Sequence, residues 1–452
     1  MNPTRSFSRS EIRGEARGMI ALAAPIIIAQ ISQMGMGFVD TYMVADLGET
    51  ALAAVSAGNV IYFFFLVFAF GTISAVGPMV SQAFGAGDHE EIERSVAQGI
   101  WLATGLSLIG FIVAWNTDAI LLLAGQEREV AATAGAYTRG MSWGVIANLW
   151  FGVLRGFCDA VNRTRVAMVI STIGFFINAL ADYTLIYGTL GMPELGAPGA
   201  GYSTSVVRWA MLLILAGYVF GAREFRSYDF IGQLRRVRVG MLGKMIRLGL
   251  PIGASHAMEH GAFGVTTLMM GHISKTAMAA HQVSIMLAAL TFMVPMGLAV
   301  AISTRVGQAV GRRRPRAAAL SGWVGIGIGT LFMCTTALTF ILIPDRLATI
   351  FTQKEEIVSY ATALLMIVGI FQISDGVQVL AMGALRGLKD TARPMVVNLV
   401  AYWFIAIPTG YLLAFEAGMG GPGLLWGLVV GLTVAAVMHT VRFGRLVGRL
   451  AV

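Results

Sequence analysis

The chain has 452 residues, of which 56% are hydrophobic and only 12% are charged. The charged fraction is roughly half that of an ordinary soluble domain, so the composition excludes a water-soluble globular fold. The formal net charge of +8 favours contact with anionic lipid and gives no support to nucleic-acid binding.

Twelve apolar runs follow one another along the chain, each long enough to cross the hydrocarbon core of a bilayer. Six precede a basic stretch at 223–247 and six follow it: 19–44, 51–79, 95–116, 130–154, 166–188 and 199–221, then 248–271, 276–304, 318–344, 357–385, 394–415 and 421–441. Runs of this length fit helices and not barrel strands, because a spanning segment must satisfy its backbone groups internally. The sequence predicts an all-α polytopic membrane protein with twelve transmembrane helices. The predicted domains are an N-terminal lobe at 1–222, a cytoplasmic linker at 223–247 and a C-terminal lobe at 248–452.

The positions of lysine and arginine predict the orientation, because cytoplasmic loops hold an excess of both. Most of the 32 such residues fall in the segments that share a side with the N-terminus. We therefore expect both termini to face the cytoplasm. Arg139 and Arg208 fall inside predicted spans, where they are expected to reach the membrane surface or to pair across helices.

An internal repeat relates the two halves, and paired repeats are how many transporters achieve alternating access. The matching segments are Pro25 with Pro251, Thr50-Ala51-Leu52-Ala53-Ala54 with Thr276-Ala277-Met278-Ala279-Ala280, Gln82-Ala83-Phe84-Gly85 with Gln308-Ala309-Val310-Gly311, and Arg155-Gly156 plus Asp159 with Arg386-Gly387 plus Asp390. The first three share one offset, and the fourth requires only a short insertion. Because both halves start inside, the two six-helix lobes are predicted to be related by a pseudo-twofold axis along the membrane normal, with a cleft between them.

These segments resemble the multidrug and toxic compound extrusion (MATE) family over nearly the whole chain. The resemblance includes its NorM-type branch and is carried by Gly37-Phe38-Val39-Asp40-Thr41, by Gln82-Ala83-Phe84-Gly85, by the paired Arg-Gly-x-x-Asp loops and by Gly249-Leu250-Pro251-Ile252 leading to Glu259. It implies a monomer in the bacterial inner (plasma) membrane that exchanges inward Na⁺ or H⁺ for outward cationic, amphipathic drugs and dyes. The expected partners are such molecules and the lipid bilayer, with no cofactor apart from the transported ion.

Four carboxylates lie inside apolar spans: Asp40, Asp182, Glu259 and Asp375. A charged group at such depth costs about 2.5 to 3.5 kcal/mol on insertion scales. No lysine or arginine lies close to any of them in sequence, so a bound cation or proton is the expected source of the missing charge. Two of the four fall in each lobe.

In the N-terminal lobe, Asn178 and Asp182 are four residues apart and therefore project from one helical face. Asp40 lies toward the same outer part of the first span. Oxygen ligands of this kind suit a small cation or a proton relay. The family resemblance extends to Asp40, Asn178 and Asp182, with Thr204 as a further expected member. The alternative is a structural polar cluster that holds the helices together.

In the C-terminal lobe, Glu259 and Asp375 match the acidic pair that resembling proteins use for Na⁺. Phe371, one turn before Asp375, has the position to offer its ring face to a cation, with plain packing as the alternative. Gln282 follows the family's His-Gln pattern and is expected to face the cleft. With acidic sites in both lobes, the sequence leaves open which lobe couples the ion.

The run from His256 to His260 reads as H-x-x-E-H, the zinc signature of inverted metalloproteases. Its place in a membrane span and the lack of a soluble catalytic domain argue against zinc hydrolysis, and no structural metal is predicted. The remaining hypotheses are that His256 and His260 tune the protonation of Glu259, or that both are simply satisfied inside the bundle.

No P-loop is present, so an ion gradient is the expected energy source and the chain is not predicted to be an enzyme. One alternative is a flippase for a lipid-linked saccharide, which predicts a strongly basic cleft, whereas the buried ionisable residues are mostly acidic. A passive channel predicts a polar stripe along several spans, and none is evident.

Overall fold

The computed structural model describes residues 7–450, and that part of the chain is helical with no strand. Twelve long helices follow the predicted order of spans. They are α1 (Arg9–Ala45), α2 (Glu49–Ile73, continued by Val76–Ala86), α3 (His89–Trp115), α4 (Arg128–Ser142 and Val145–Ala160), α5 (Thr164–Tyr187), α6 (Ala197–Gly221), α7 (Val239–Ile273), α8 (Lys275–Gly311), α9 (Pro315–Leu342), α10 (Glu355–Gly387), α11 (Ala392–Glu416) and α12 (Gly421–Leu450). Short helices at Thr117–Leu123, Phe230–Leu234 and Pro344–Thr349 and a 3₁₀ turn at Arg223–Phe225 join them.

Within residues 7–450, ten of these helices are long and apolar enough to cross a membrane. The other two differ for local reasons. Helix α4 is interrupted at 143–144, and the apolar stretch of α7 is interrupted by His256, Glu259 and His260. The predicted all-α polytopic fold is confirmed.

Several helices contain irregular turns that apolar patterning does not reveal. Prolines lie inside α1, α7 and α8, at Pro25, Pro251 and Pro295, where each removes a backbone hydrogen bond. Helix α11 widens into π-helix at Val400–Ala406 and again at Leu412–Glu416. Such π turns are rare and occur frequently at functional sites.

Contacts within the structure define two compact units. The N-unit is Ile28–Gly253, and the C-unit is the chain up to Ile27 together with the chain from Ala254 onward. This division cuts α1 and α7 within their lengths, since the two parts of each continuous helix pack with different neighbours. The predicted lobes at 1–222 and 248–452, the second of which starts inside α7, remain a prediction.

The basic stretch is packed against the N-unit. The ring of Phe157 in α4 lies 5.2 Å from the rings of both Phe225 and Phe230. Gln98 in α3 donates from Nε2 to the carbonyl oxygen of Arg236 over 2.8 Å and accepts from the backbone N–H of Arg238 over 2.9 Å. The stretch predicted as a linker is therefore a folded part of this unit.

Glycine allows some helices to approach very closely, as is common in membrane bundles. A β-carbon added at Gly201 in α6 would overlap the carbonyl oxygen of Tyr137 in α4. By contrast, a β-carbon at Gly217, four turns further along α6, would have nothing within 4 Å. The first glycine brings α6 against the α4 backbone beside the site described next.

Candidate functional site

The first candidate site, which we call the N-site, comprises Asp40, Asn178, Asp182 and Thr204. These side chains come from α1, α5 and α6, and all four are buried. Asn178 Nδ2 donates to Asp40 Oδ1 over 3.0 Å, and the Thr204 hydroxyl donates to Asp40 Oδ2 over 3.3 Å. The structure thus brings together the four residues that the sequence placed at one site.

Asp182 completes the N-site in a different way from Asp40. Its carboxyl group interacts with that of Asp40, and neither of its oxygens accepts a hydrogen bond from a residue in 7–450. The Asn178 Oδ1 and Ser203 Oγ atoms nearby are also buried without a partner in that range. Because buried polar atoms are normally satisfied, these unpaired oxygens mark a position suited to a cation, a proton or water.

An arginine that sequence reasoning did not assign to the site lies one turn beyond Thr204. Arg208 Nη1 donates to the hydroxyl of the buried Tyr62 over 2.8 Å, and its charge interacts with Asp40 without an ion pair between them. The sequence signal that could have indicated Arg208 is its spacing of four residues from Thr204, which puts both side chains on one face of α6. Arg139 similarly pairs across helices, with Asp118.

The second candidate site, the C-site, is formed by Glu259 in α7 and Asp375 in α10. Both side chains are buried, and the two carboxyl groups interact electrostatically. Asp375 Oδ1 accepts no hydrogen bond from a described residue, and the hydroxyl of Tyr402, in the π-helical part of α11, likewise has no partner there. Tyr402 lies within the electrostatic range of both carboxyls, and nothing in the sequence pattern singled it out.

One side of Glu259 is occupied by a histidine and an arginine. His256 Nδ1 lies 3.8 Å from Glu259 Oε2, one helical turn away. On the far side of the same ring, His256 Nε2 lies 3.0 Å from Arg386 Nη2 at the end of α10. No basic residue lies near Glu259 in the sequence. Arg386 was missed for that reason, because it is 130 residues from His256 along the chain and meets it only in the fold.

The other residues named from the sequence occupy different surroundings. His260 is exposed, and its Nδ1 donates to the carbonyl oxygen of His256 over 3.0 Å. Gln282 is exposed and takes no part in the hydrogen bonds of the C-site. Phe371 is buried and packs against Phe263, with ring centroids 6.2 Å apart.

The H-x-x-E-H run does not assemble as a zinc centre. Over residues 7–450, no group of three or more His, Cys, Asp or Glu side chains is arranged to hold a metal ion. His256 turns one nitrogen to Arg386, and His260 turns back to the helix backbone.

Comparison with known proteins agrees with the internal repeat. The MatE family profile matches residues 25–184 and 251–412, once in each half. The chain is 37% identical over 447 residues to a "Probable multidrug resistance protein NorM" of Pseudomonas putida, covering 97% of both chains. It is 36% identical over 433 residues to a "Multidrug resistance protein MdtK" of Edwardsiella ictaluri, covering 95% of both chains.

Solved structures share the fold at lower identity. The crystal structure of the "eukaryotic MATE transporter AtDTX14" superposes with a TM-score of 0.87 at 22% identity, over 97% of this chain and 99% of that one. A crystal structure titled "MATE in complex with MaD3S" gives a TM-score of 0.89 at 19% identity, over 99% of this chain and 100% of that one. At these identities the likeness shows the twelve-helix fold alone.

Proposed function

The chain belongs to the MatE family, and from this premise we propose that it is a multidrug efflux antiporter that exports cationic amphipathic compounds in exchange for Na⁺ or H⁺. The relatives named as multidrug resistance proteins, 36% and 37% identical over nearly the whole chain, support the multidrug part of this proposal. The same proposal makes the chain a transporter and not an enzyme, located in the bacterial inner membrane.

One observation carries the ion-coupling part of the proposal. Each compact unit buries a pair of carboxyl groups, Asp40 with Asp182 and Glu259 with Asp375, and none of the four forms an ion pair with lysine or arginine in the described part of the chain. A buried carboxylate without a partner is costly, and at membrane depth it is a functional site by default. A mobile cation or proton supplies the missing charge.

The N-site shows how such a cation can be received. Asp40 already accepts hydrogen bonds from Asn178 and Thr204, so its negative charge is partly compensated. No hydrogen bond of normal geometry reaches Asp182 in the described chain, and its oxygens together with the neighbouring Ser203 Oγ offer the hard ligands that Na⁺ prefers. A proton shared between the two carboxyl groups would serve the same purpose.

Coupling follows from thermodynamic linkage. If ion binding from outside favours the conformation that releases the drug, drug binding must weaken ion binding by the same factor. We propose this reciprocal competition as the basis of antiport. The distribution of lysine and arginine supports cytoplasmic termini, and a reporter fused to the C-terminus tests that orientation.

The direct test is ethidium efflux from vesicles with an imposed Na⁺ or H⁺ gradient. Asp40→Asn and Glu259→Gln remove one negative charge from the N-site and the C-site, whereas Glu356→Gln removes an exposed carboxylate from the first turn of α10. We expect at least one of the two site substitutions to abolish gradient-driven efflux while Glu356→Gln retains it. Intact efflux in both site variants would contradict the assignment of these sites.

A further inference from the structure

The repeated Arg-Gly-x-x-Asp motif has different contacts in its two copies. In the first copy, Arg155 and Asp159 both lie inside α4, four residues apart, and Arg155 Nε is 3.7 Å from Asp159 Oδ2. Both side chains are largely buried, with 13% and 6% of their surface exposed. The arginine of this copy is therefore held by its own motif.

In the second copy, the helix ends about one turn earlier relative to the motif. Helix α4 continues to Ala160, beyond Asp159, whereas α10 stops at Gly387 and leaves Asp390 outside the helix. The chain turns at Lys389, which has a left-handed φ of 59°. Asp390 consequently cannot face Arg386 across a helical turn, and its Oδ1 instead accepts from Arg442 Nη2 over 2.9 Å.

Arg386 is left without an ion pair among residues 7–450, and it bonds to His256 instead. A guanidinium group can only donate, so the Nε2 atom of His256 must be the acceptor in the 3.0 Å contact. An imidazole that accepts at Nε2 is neutral and has its proton on Nδ1. That Nδ1–H is the atom that faces Glu259 Oε2 at 3.8 Å.

We propose that Arg386 is a positioning residue of the C-site, which fixes the tautomer of His256 and supplies a resident positive charge against which the transported cation competes. The proposal rests on the antiport function proposed above. Arg386 and Glu259 interact electrostatically even though no ion pair joins them. His256 thus lies between the arginine and Glu259 and turns only an N–H dipole toward the carboxyl group, so no ion pair neutralises that carboxyl.

The first test measures cation dependence. Purified full-length protein in lipid vesicles is assayed for ethidium efflux over a series of Na⁺ concentrations at fixed pH, and over a pH series without Na⁺. We expect Arg386→Gln to lower the half-saturating concentration of the effective cation about fivefold, because a fixed charge that repels it is gone. Arg386→Lys, which keeps the charge and a donor, is expected to stay within about twofold of wild type.

The matched control removes the motif pair of the other copy as a unit. The double variant Arg155→Gln with Asp159→Asn leaves no unpaired charge behind, and it should not change the half-saturating cation concentration. An unchanged value in Arg386→Gln, or an equal shift in the control, overturns the proposal. A wild-type protein that responds to neither gradient would instead refute the proposed antiport.

The second test reads the tautomer in wild-type protein and needs no variant to fold. Solid-state ¹⁵N NMR of histidine-labelled protein in lipid distinguishes Nδ1–H from Nε2–H, and His256→Asn assigns the signal. We expect His256 as the neutral Nδ1–H form in wild type and a shift away from that form in Arg386→Gln. Detection of the Nε2–H or the charged form in wild type overturns the proposal whether or not transport is observed.

Discussion

Asn178 donates a hydrogen bond from its side-chain nitrogen to Asp40 Oδ1 over 3.0 Å, although 138 residues separate them. The bond joins α5 to α1 at the point where α1 is part of the N-unit. Because the amide N–H₂ group is directed at Asp40, the amide oxygen is left without a partner in the described chain. One side chain therefore holds Asp40 in place and also offers an oxygen ligand to the N-site.

Replacing this amide should weaken cation binding without removing the acidic pair. In Asn178→Leu, which keeps the branched shape of the side chain, the N-site loses the unpartnered amide oxygen, and the half-saturating cation concentration is expected to rise about fivefold, on the scale of one polar interaction with a charged group. Thr204→Val removes the longer bond of 3.3 Å and should change that value by no more than about twofold. Gradient-driven ethidium efflux measures both, and a larger effect in Thr204→Val would contradict this order.

Tyr62 restrains the arginine nearest to the N-site. In Tyr62→Phe the hydroxyl that accepts from Arg208 is absent, so the guanidinium is free to approach Asp40 and compete with the transported cation. We expect the half-saturating cation concentration to rise about threefold. Tyr202→Phe, on the exposed side of α6, is the control, and equal behaviour of the two variants would rule out this restraint.

The close contact of α6 with α4 makes a stability prediction. Gly201→Ala places a methyl group on the Tyr137 carbonyl oxygen, and overpacking of this kind costs about 1 to 3 kcal/mol. Gly217→Ala in the same helix has free space, and it should be neutral or slightly stabilising because alanine favours helix. Thermal unfolding in detergent compares them, with a lower Tm expected for Gly201→Ala only.

The Asp390 and Arg442 pair should contribute more to stability than a surface pair. Its two side chains are 19% and 20% exposed, so Arg442→Gln leaves a mostly buried carboxylate without its partner, at a cost of about 2 kcal/mol. The pair of Arg94 and Glu90 is more exposed, at 28% and 57%, and Arg94→Gln should cost less than about 1 kcal/mol. Similar Tm values for the two variants would contradict this ranking.

The sequence predicted the twelve helices because each span is a long apolar run. It predicted Asp40, Asp182, Glu259 and Asp375 as site residues because charged side chains are rare inside apolar spans. The spacing of Asn178 and Asp182 also indicated a shared helical face. Sequence patterns carry no signal for the contact of Arg386 with His256, since it depends on where α10 ends. They also do not reveal that α11 becomes π-helical around Tyr402, because that segment is as apolar as the rest of the span and no residue type distinguishes it.

Because α10 ends early, the arginines of the repeated motif have different partners in the two halves. In the first half the arginine is bound to the aspartate of its own motif within one helix. In the second half the helix ends about four residues earlier relative to the motif, so the pair is separated although the arginine and aspartate are the same residue types. An arginine that is not bound to its own aspartate is available for a contact with another residue, as Arg386 is for His256. Two copies of one sequence motif can therefore differ in chemistry through the length of a helix alone.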